Sequence, residues 1–175
     1  MTQIRLATEA DTPAIAAIYN QAVEAGFQTG DRTPVSTDSR KLWLQAHPSS
    51  RYPVYVLDID GSVAGWLSVS PYRPGREALR FTAEISYYVE RAQRGKGVAS
   101  RLLAYAIEQA PKLGLKTYFA IALDRNAVSA ALLEKYGFER WGFLPGVADF
   151  DGEECGQLYY GRRVENGFTA DAPAT

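Results

Sequence analysis

The sequence predicts a mixed α/β fold in which one central sheet of about seven strands carries helices on both faces. Three observations predict it. Short runs of β-branched and aromatic residues alternate with stretches whose apolar residues recur at helical spacing. The dipeptide Asp60-Gly61 joins two apolar runs and is typical of a tight β-hairpin turn. A glycine-containing segment, residues 94–97, separates a strand-like run from an amphipathic one.

The N-terminal part predicts a short strand followed by two helices. Asp11 stands at an N-cap position, and Pro13 suits the first turn of the helix that follows it. Isoleucine and alanine then recur at helical spacing until Gly26, a residue that commonly ends a helix. A polar loop over residues 27–35 follows. The predicted elements are a strand over residues 4–7 and helices over residues 12–25 and 37–46.

The remainder predicts a β-hairpin, a third strand, and then alternating helices and strands. Lys112 and Gly114 are typical of a helix C-terminus, and Gly137 ends the last helical pattern. The predicted strands cover residues 54–59, 64–70, 82–89, 118–123, 139–144 and 157–164. The predicted helices cover residues 98–112 and 126–136. The complete order is therefore β-α-α-β-β-β-α-β-α-β-β, which differs from a simple doubly wound sheet and from a barrel.

The composition narrows the function classes. A chain of 175 residues with a net charge of −1 fits one domain and has no overall positive charge for binding nucleic acid. One histidine and one cysteine leave few ligands for a zinc site. No apolar run is long enough to span a membrane. We therefore expect a cytoplasmic protein without a metal, with one domain over residues 1–164 and a flexible tail over residues 165–175.

The segment over residues 94–97 predicts a phosphate-binding turn. Glycines let the backbone expose its amides, and the following helix adds free N–H groups and the positive end of its dipole. A P-loop is excluded because no Ser or Thr follows Lys96. A dinucleotide-binding site is less well supported, because Ser100 occupies the position of the third glycine in the Gly-x-Gly-x-x-Gly motif. The turn alone does not identify the phosphorylated ligand.

Two motifs resemble those of the GCN5-related N-acetyltransferase (GNAT) family. The pyrophosphate motif of that family, Gln/Arg-x-x-Gly-x-Gly/Ala, is matched by Arg94, Gly97 and Ala99. A second matching segment runs from Asn126 to Phe138, so the resemblance covers almost the whole chain. The phosphinothricin acetyltransferase-like branch is the most similar, through residues 18–20 (Ile-Tyr-Asn), 75–76 (Gly-Arg), 82–86 (Thr-Ala-Glu-Ile-Ser) and 144–148 (Leu-Pro-Gly-Val-Ala).

The resemblance implies an N-acetyltransferase with the GNAT fold. Such an enzyme transfers the acetyl group of acetyl-CoA, by direct attack, to the amino group of a small amino-acid-like acceptor, such as phosphinothricin or methionine sulfoximine. The branch usually forms homodimers. Amides around the end of the 82–89 strand would polarise the thioester, and those of the glycine turn would hold the pyrophosphate. The residues expected to bind acetyl-CoA are Tyr87, Tyr88, Val89, Arg94, Gly95, Lys96, Gly97, Val98, Ala99, Asn126 and Ser129.

Glu84 is the expected catalytic base, because the branch carries a glutamate there and a carboxylate in a partly dry cleft has a raised pKa. The alternative is a structural glutamate paired with Arg76 or Arg80. Arg76 is also the candidate for binding the acid group of the acceptor, since its planar fork suits a carboxylate or phosphinate; Arg73 and Arg80 are alternatives. The other expected acceptor-binding residues are Phe27, Thr29 and Tyr72.

Two positions depart from the pattern of the family. Leu133 stands where many relatives have a tyrosine that protonates the CoA thiolate, so water or another tyrosine would have to serve. Gly156 stands near an aspartate of the branch, which leaves the acceptor open. Two further functions also stay open, a peptide or protein N-terminal acetyltransferase and a non-catalytic acyl-CoA-binding sensor.

Several other polar and aromatic residues are expected to be structural. We expect His47 at a helix C-terminus in its cationic form. Cys155 is expected to be unreactive, because two neighbouring glutamates would raise its pKa. Asp149 and Asp151, on either side of Phe150, are typical of a turn, and no third ligand for a metal accompanies them. Core or dimer contacts are expected of the tryptophans Trp43, Trp66 and Trp141.

Overall fold

The computed structural model describes residues 1–164; the tail expected over residues 165–175 lies outside them. One sheet of seven strands runs in the order β1-β2-β3-β4-β5-β7-β6. Its strands are β1 (Thr2–Leu6), β2 (Val54–Ile59), β3 (Ser62–Pro71), β4 (Thr82–Val89), β5 (Thr117–Leu123), β6 (Glu139–Phe150) and β7 (Glu153–Arg163). The helices are α1 (Thr12–Ala25), α2 (Thr37–Gln45), α3 (Val98–Gln109) and α4 (Ala127–Lys135). Neighbouring strands are antiparallel except β4 and β5.

Helices cover both faces of the sheet, as the sequence predicts. On one face, here called the α3 face, the buried side chains of α3 pack on those of β3, β4 and β5 in the larger core cluster. On the opposite face, here called the α1 face, α1 packs around Val54, Val56 and Trp66. Side chains of a strand alternate between faces, so Ala83 and Ile85 enter the larger core. Glu84, Ser86 and Tyr88 therefore point to the α1 face.

The two parallel strands separate part-way along their length. β4 pairs with β5 only from Thr82↔Thr117 to Glu84↔Phe119. On its other side, β4 stays paired with β3 as far as Gly65↔Val89. The β5 side of the second half of β4 therefore has no strand partner in the described part of the chain. This separation opens the sheet at its centre.

The predicted elements are present, and Asp11 is at the N-cap of α1 as expected, but three local details differ. Asp11 occupies the N-cap position of α1 without capping it, because its carboxylate accepts hydrogen bonds from Arg5 and from the backbone N–H of Thr8. α3 ends at Gln109 rather than residue 112, since Pro111 has no N–H to continue the helix. β6 continues past residue 144 through an irregularity between Leu144 and Ala148 on the edge of the sheet.

The Asp60-Gly61 turn has the backbone expected of a tight hairpin. Both residues have positive φ, at 50° and 83°. These are the signs that a type I′ turn requires, and they match the twist of the strands that the turn joins. None of the helices in the described residues is long and apolar enough to cross a membrane.

Candidate active site

A cleft of about 800 Å³ lies where β4 and β5 separate. Residues of β4, β5, α4 and the first turn of α3 line it, together with two residues of α1. The cleft brings together residues that are far apart in the sequence. Ten of the predicted cofactor-binding residues line it: Tyr87, Tyr88, Val89, Arg94, Gly95, Gly97, Val98, Ala99, Asn126 and Ser129.

The glycine turn opens onto this cleft and leads directly into α3. Gly95 and Gly97 have positive φ, at 75° and 79°, which is the left-handed region that suits glycine. No atom outside the adjoining residues lies within 4 Å of where a Cβ would stand on either glycine. Gly97 is the N-cap of α3, so the unpaired amides of the first helical turn lie at the mouth of the cleft. This arrangement suits an anionic, phosphate-bearing ligand.

The two basic side chains of the turn behave differently. Arg94 lines the cleft, and its Nη2 donates to Oε1 of Gln28 at 3.3 Å. Lys96 does not line the cleft; its ammonium donates to Oε1 of Gln93, a residue that does, also at 3.3 Å. Since Lys96 is exposed, reaching a ligand would only require its flexible side chain to rotate.

Tyr87 connects β4 with α4 across the cleft. Its hydroxyl lies 2.7 Å from Oγ of Ser129, in the first turn of α4. Asn126 caps that turn, since its Oδ1 accepts from the backbone N–H of Ser129 at 3.2 Å. Burial raises the pKa of Tyr87 to about 12, and the hydrogen bond with Ser129 opposes that rise. Tyr87 therefore presents a protonated hydroxyl inside the cleft at neutral pH.

Glu84 lies just before the point where β4 and β5 separate. It does not line the cleft; its side chain is on the α1 face, opposite Ser70 of β3 and Phe119 of β5. Burial raises the pKa of its carboxyl above the ordinary value of 4.5. Within residues 1–164 it forms no hydrogen bond or ion pair, so the alternative pairing with Arg76 or Arg80 is absent. A partly buried carboxylate that has no partner among the described residues remains free to accept a proton.

The four residues predicted to bind the acceptor do not meet in one pocket. Thr29 contacts the Tyr19 hydroxyl at 2.7 Å, whereas Phe27 packs on Phe150 with 4.5 Å between ring centroids. Tyr72 packs on Phe119 at 4.8 Å and, with exposed Arg76, lines a second cavity of about 220 Å³. Tyr72 is therefore joined to the Glu84 region through Phe119, the β5 partner of Glu84.

Comparison with known proteins identifies the family. A model of the acetyltransferase (GNAT) family matches residues 14–138. The chain belongs to the GNAT acetyltransferase family. An L-methionine sulfoximine/L-methionine sulfone acetyltransferase from Pseudomonas paraeruginosa is 41% identical over 145 residues, which cover 82% of this chain and 84% of the relative. An L-amino acid N-acyltransferase from Escherichia coli is 34% identical over 144 residues, covering 82% and 83%.

A solved structure has the same GNAT fold over nearly the whole length. The phosphinothricin acetyltransferase from Sinorhizobium meliloti, determined in complex with acetyl-CoA, superimposes with a TM-score of 0.88 at 30% identity. The match covers 99% of this chain and 93% of that protein. The predicted fold class, a mixed sheet of seven strands with helices on both faces, is thus confirmed as the GNAT fold.

Both departures from the GNAT pattern have a structural context. Leu133 lines the cleft as an apolar residue and is only 1% exposed. At Gly156, any Cβ would collide with the ring of Phe143 and lie 2.7 Å from the carbonyl oxygen of Leu144. A larger residue at this position would therefore require β6 to move away from β7.

The structure corrects what was expected of His47. This residue is half-buried, and burial lowers its pKa rather than favouring the cation. Its Nδ1 lies 2.7 Å from the carbonyl oxygen of Trp43 and therefore donates to it. Its Nε2 then accepts from the hydroxyl of Ser70, at 3.0 Å. His47 is a neutral group of the α1 face, one strand away from Glu84.

The other residues expected to be structural have the following surroundings. Burial, reinforced by Asp124, raises the pKa of the Cys155 thiol, although the two neighbouring glutamates are not the cause. Asp149 closes a turn by accepting from the N–H of Gly152, and residues 1–164 hold no cluster of metal-ligating side chains. Trp66 is a core residue, whereas Trp141 on β6 is 48% exposed.

Sequence reasoning missed a group of residues on the α1 face. Arg40 of α2 is only 8% exposed, and its guanidinium lies over the rings of Tyr19 and Trp43. Its spacing of three residues from Trp43 is the signal that places both on one side of α2, and His47 follows two residues after that helix ends.

Proposed function

We propose that this enzyme transfers the acetyl group of acetyl-CoA to the amino group of a small amino-acid-like acceptor, by direct attack. The observation that carries the proposal is the cleft itself. It opens between β4 and β5, with the free amides of α3 at its mouth and the unpartnered carboxylate of Glu84 beside the point of separation. The acceptor class is supported by relatives that act on methionine sulfoximine, methionine sulfone and L-amino acids.

The residues around the cleft fit acetyl-CoA. The amides from Gly95 to Ala99 hold the pyrophosphate, since both glycines leave their approaches open, and Arg94 and Lys96 add positive charge. The unpaired edge of β4 at Tyr87, Tyr88 and Val89 offers backbone groups to the pantetheine arm and polarises the thioester carbonyl. Asn126 and Ser129 bound the opposite wall.

Glu84 makes the acceptor amine nucleophilic. An ammonium group cannot attack a carbonyl, so one proton must leave the nitrogen before or during bond formation. Glu84 takes that proton, directly or through one water, because burial has raised the pKa of its carboxyl and no described group competes for it. The new bond joins the acceptor nitrogen to the acetyl carbon, and the carbon–sulfur bond breaks.

Tyr87 supplies the proton for the departing thiolate. Its hydroxyl is held at Ser129, one helical turn before Leu133. Side chains of a helix point toward its N-terminus, so a tyrosine at position 133 would reach this same turn. Ser129 can donate to the Tyr87 oxygen while the Tyr87 proton moves to sulfur. Tyr87 on β4 therefore donates the proton that Leu133 cannot supply.

The acceptor lies beyond Glu84, toward the residues expected to surround it. Arg76 faces the second cavity with Tyr72 and offers a guanidinium fork to an acid group of the acceptor. Phe27 and Thr29 come from the loop after α1 and bound the opposite side. Residues 1–164 act together as one catalytic domain, in which no metal takes part.

The enzyme works as a homodimer in the cytoplasm, without a nucleic-acid or membrane partner. β6 is one of the two edge strands of the sheet and exposes several large apolar side chains. These are Trp141, Phe143, Leu144 and Val147. An exposed apolar edge strand favours pairing with a second copy, which would cover both the side chains and the unpaired backbone. The lone cysteine and the net charge of −1 agree with this location and these partners.

Release of the CoA thiol from acetyl-CoA, across a panel of acceptors, tests the proposal. The panel holds methionine sulfone, methionine sulfoximine, phosphinothricin, other amino acids, polyamines and short peptides. We expect turnover with the amino-acid analogues that is lost in Glu84→Gln and kept in Glu108→Gln, a matched change at an exposed glutamate of α3 that lines neither cavity. Turnover on peptides alone would instead support an N-terminal acetyltransferase. Tight binding of acetyl-CoA without turnover would support a sensor.

A further inference from the structure

Among residues 1–164, the buried cation Arg40 has no hydrogen-bonding partner. Arg40 is 8% exposed. Within residues 1–164 its guanidinium forms neither a hydrogen bond nor an ion pair. Its Nε is closed off from solvent and unpaired. Its two terminal nitrogens are also unpaired but are not closed off, so they form the accessible end of the side chain. Buried charges are ordinarily paired, which makes this arrangement costly for folding alone.

Aromatic rings hold the guanidinium in one place. Its carbon lies 4.0 Å from the ring centroid of Tyr19, 5.0 Å from Trp43 and 6.0 Å from Trp66. Cation–π contacts of this kind compensate part of the lost hydration and fix the orientation of the planar fork. They do not satisfy its N–H donors. Nε1 of Trp66 is a second buried donor in the same group without an acceptor. The group therefore has more donors than acceptors.

This cluster adjoins the residues assigned to the acceptor. The Tyr19 hydroxyl donates to Asp31 at 2.6 Å and contacts Thr29, so the ring beneath Arg40 also anchors the loop after α1. Tyr88 of β4 packs on Tyr19 and on Trp66, both at 4.8 Å between centroids. Asp31 is the carboxylate nearest to this group in the hydrogen-bond network, and it pairs with Tyr19 rather than with Arg40.

The segment that follows α2 reaches the Glu84 end of the α1 face. His47, seven residues after Arg40, bonds to Ser70, whose partner across the sheet is Glu84. Between these two ends lie Ser68 and Ser86, a directly paired couple on the same face. Arg40 and Glu84 thus stand at opposite ends of a polar strip, one able to bind an anion and the other a proton acceptor.

We propose that the terminal nitrogens of Arg40 bind the carboxylate of the acceptor while its amino group is presented to Glu84. This assignment rests on the proposed function and extends it, because it names an inner anion subsite distinct from the exposed Arg76. The side-chain acid or sulfone group of the acceptor is then left to Arg76 and the second cavity. Substrates should be amino acids with a free carboxylate rather than simple amines.

Two acceptors that differ only in the carboxylate test this subsite: methionine sulfone and its carboxamide. Arg40→Met keeps a long, flexible aliphatic side chain and removes the charge. For this variant we expect kcat/KM for methionine sulfone to fall about ten- to a hundred-fold, which corresponds to the loss of a charge-assisted hydrogen bond. The carboxamide should change less than about three-fold. Arg40→Lys should recover part of the loss, because it restores charge without the fork. Lys112→Met, a charge removal at an exposed position three residues after the end of α3, should change neither.

A binding measurement provides a readout besides turnover. Trp43 and Trp66 adjoin Arg40, so titrating methionine sulfone into the wild type with saturating CoA should change their fluorescence, and the carboxamide should not. Equal loss on both acceptors in Arg40→Met, or an unchanged preference for the acid in both Arg40 variants, would overturn the subsite. Absence of turnover on every acceptor in the wild type would instead contradict the proposed function.

Discussion

The hydroxyl of Tyr87 lies 2.7 Å from Oγ of Ser129, across the gap where β4 and β5 stop pairing. This contact joins the strand that ends at the proposed thioester site to the helix that carries Leu133. The Tyr87 hydroxyl therefore carries an exchangeable proton inside the cleft. On the α4 side, Leu133 is apolar at the position where many relatives have a tyrosine. The relationship makes the role of Tyr87 testable by a change of one atom.

Tyr87→Phe should lower kcat by about a hundred-fold or more, in the range expected for loss of a general acid. The affinity for acetyl-CoA, measured by calorimetry, should change little because the ring and the backbone remain. Tyr105→Phe is the matched control, since Tyr105 packs on Tyr55 away from the cleft. An unchanged kcat in Tyr87→Phe would leave protonation of the thiolate to water.

Glu84→Gln should affect stability in a pH-dependent way. Burial raises the pKa of Glu84 above 4.5, so the folded state holds its proton more tightly than the unfolded state does. The ionised Glu84 carboxylate therefore lowers the free energy of unfolding as pH rises above 4.5. Well below pH 4.5 the carboxyl is protonated in both states and has no such effect. The melting temperature of Glu84→Gln should equal or exceed that of the wild type at pH 7 and match it near pH 4. A variant that is less stable at pH 7 would indicate a structural partner for Glu84.

Gly97→Ala should weaken acetyl-CoA binding through the backbone. The space beside Gly97 is open, so the effect comes from its φ of 79°. We expect a loss of about 1–2 kcal/mol in unfolding free energy, together with a raised KM for acetyl-CoA. Gly61→Ala carries the same kind of strain, with a φ of 83° and open space, but lies in the β2–β3 hairpin. It should lose similar stability without changing KM; an equal rise in KM would argue against a specific role of the turn.

Val147→Asp should dissociate the proposed homodimer. Val147 is 51% exposed on the edge strand β6, where its replacement cannot disturb a packed core. Sedimentation velocity should show a dimer for the wild type and a monomer for the variant, with similar far-UV circular dichroism. A monomeric wild type at micromolar concentration would contradict the dimer, whatever the variant does.

Regular elements could be predicted from the sequence because local patterns determine them. The spacing of apolar residues gave α1 at Thr12–Ala25 and β4 at Thr82–Val89 with the bounds that the structure has. The extension of β6 could not be predicted, because Pro145 and Gly146 normally interrupt a strand and are accommodated here only by its edge position.

Residues of the cleft could be predicted where they belong to a sequence motif. They could not be predicted where only tertiary contacts bring them there. Ten residues predicted to bind the cofactor, from the end of β4 and from two motifs, line one cavity. The Tyr87–Ser129 contact and the environment of Arg40 depend on how α4 and α2 dock on the sheet, which no local pattern specifies. His47 was misjudged for the same reason, since its partner Ser70 is on a distant strand.

The central claim is that the cleft between β4 and β5 delivers acetyl to the amino group of an amino-acid-like acceptor. Mass spectrometry of methionine sulfone incubated with isotope-labelled acetyl-CoA tests it most directly. We predict a labelled N-acetyl product with the wild type and little with Glu84→Gln at equal enzyme concentration. Absence of a labelled product from any amino acid in the panel, with enzyme that binds acetyl-CoA, would contradict the claim.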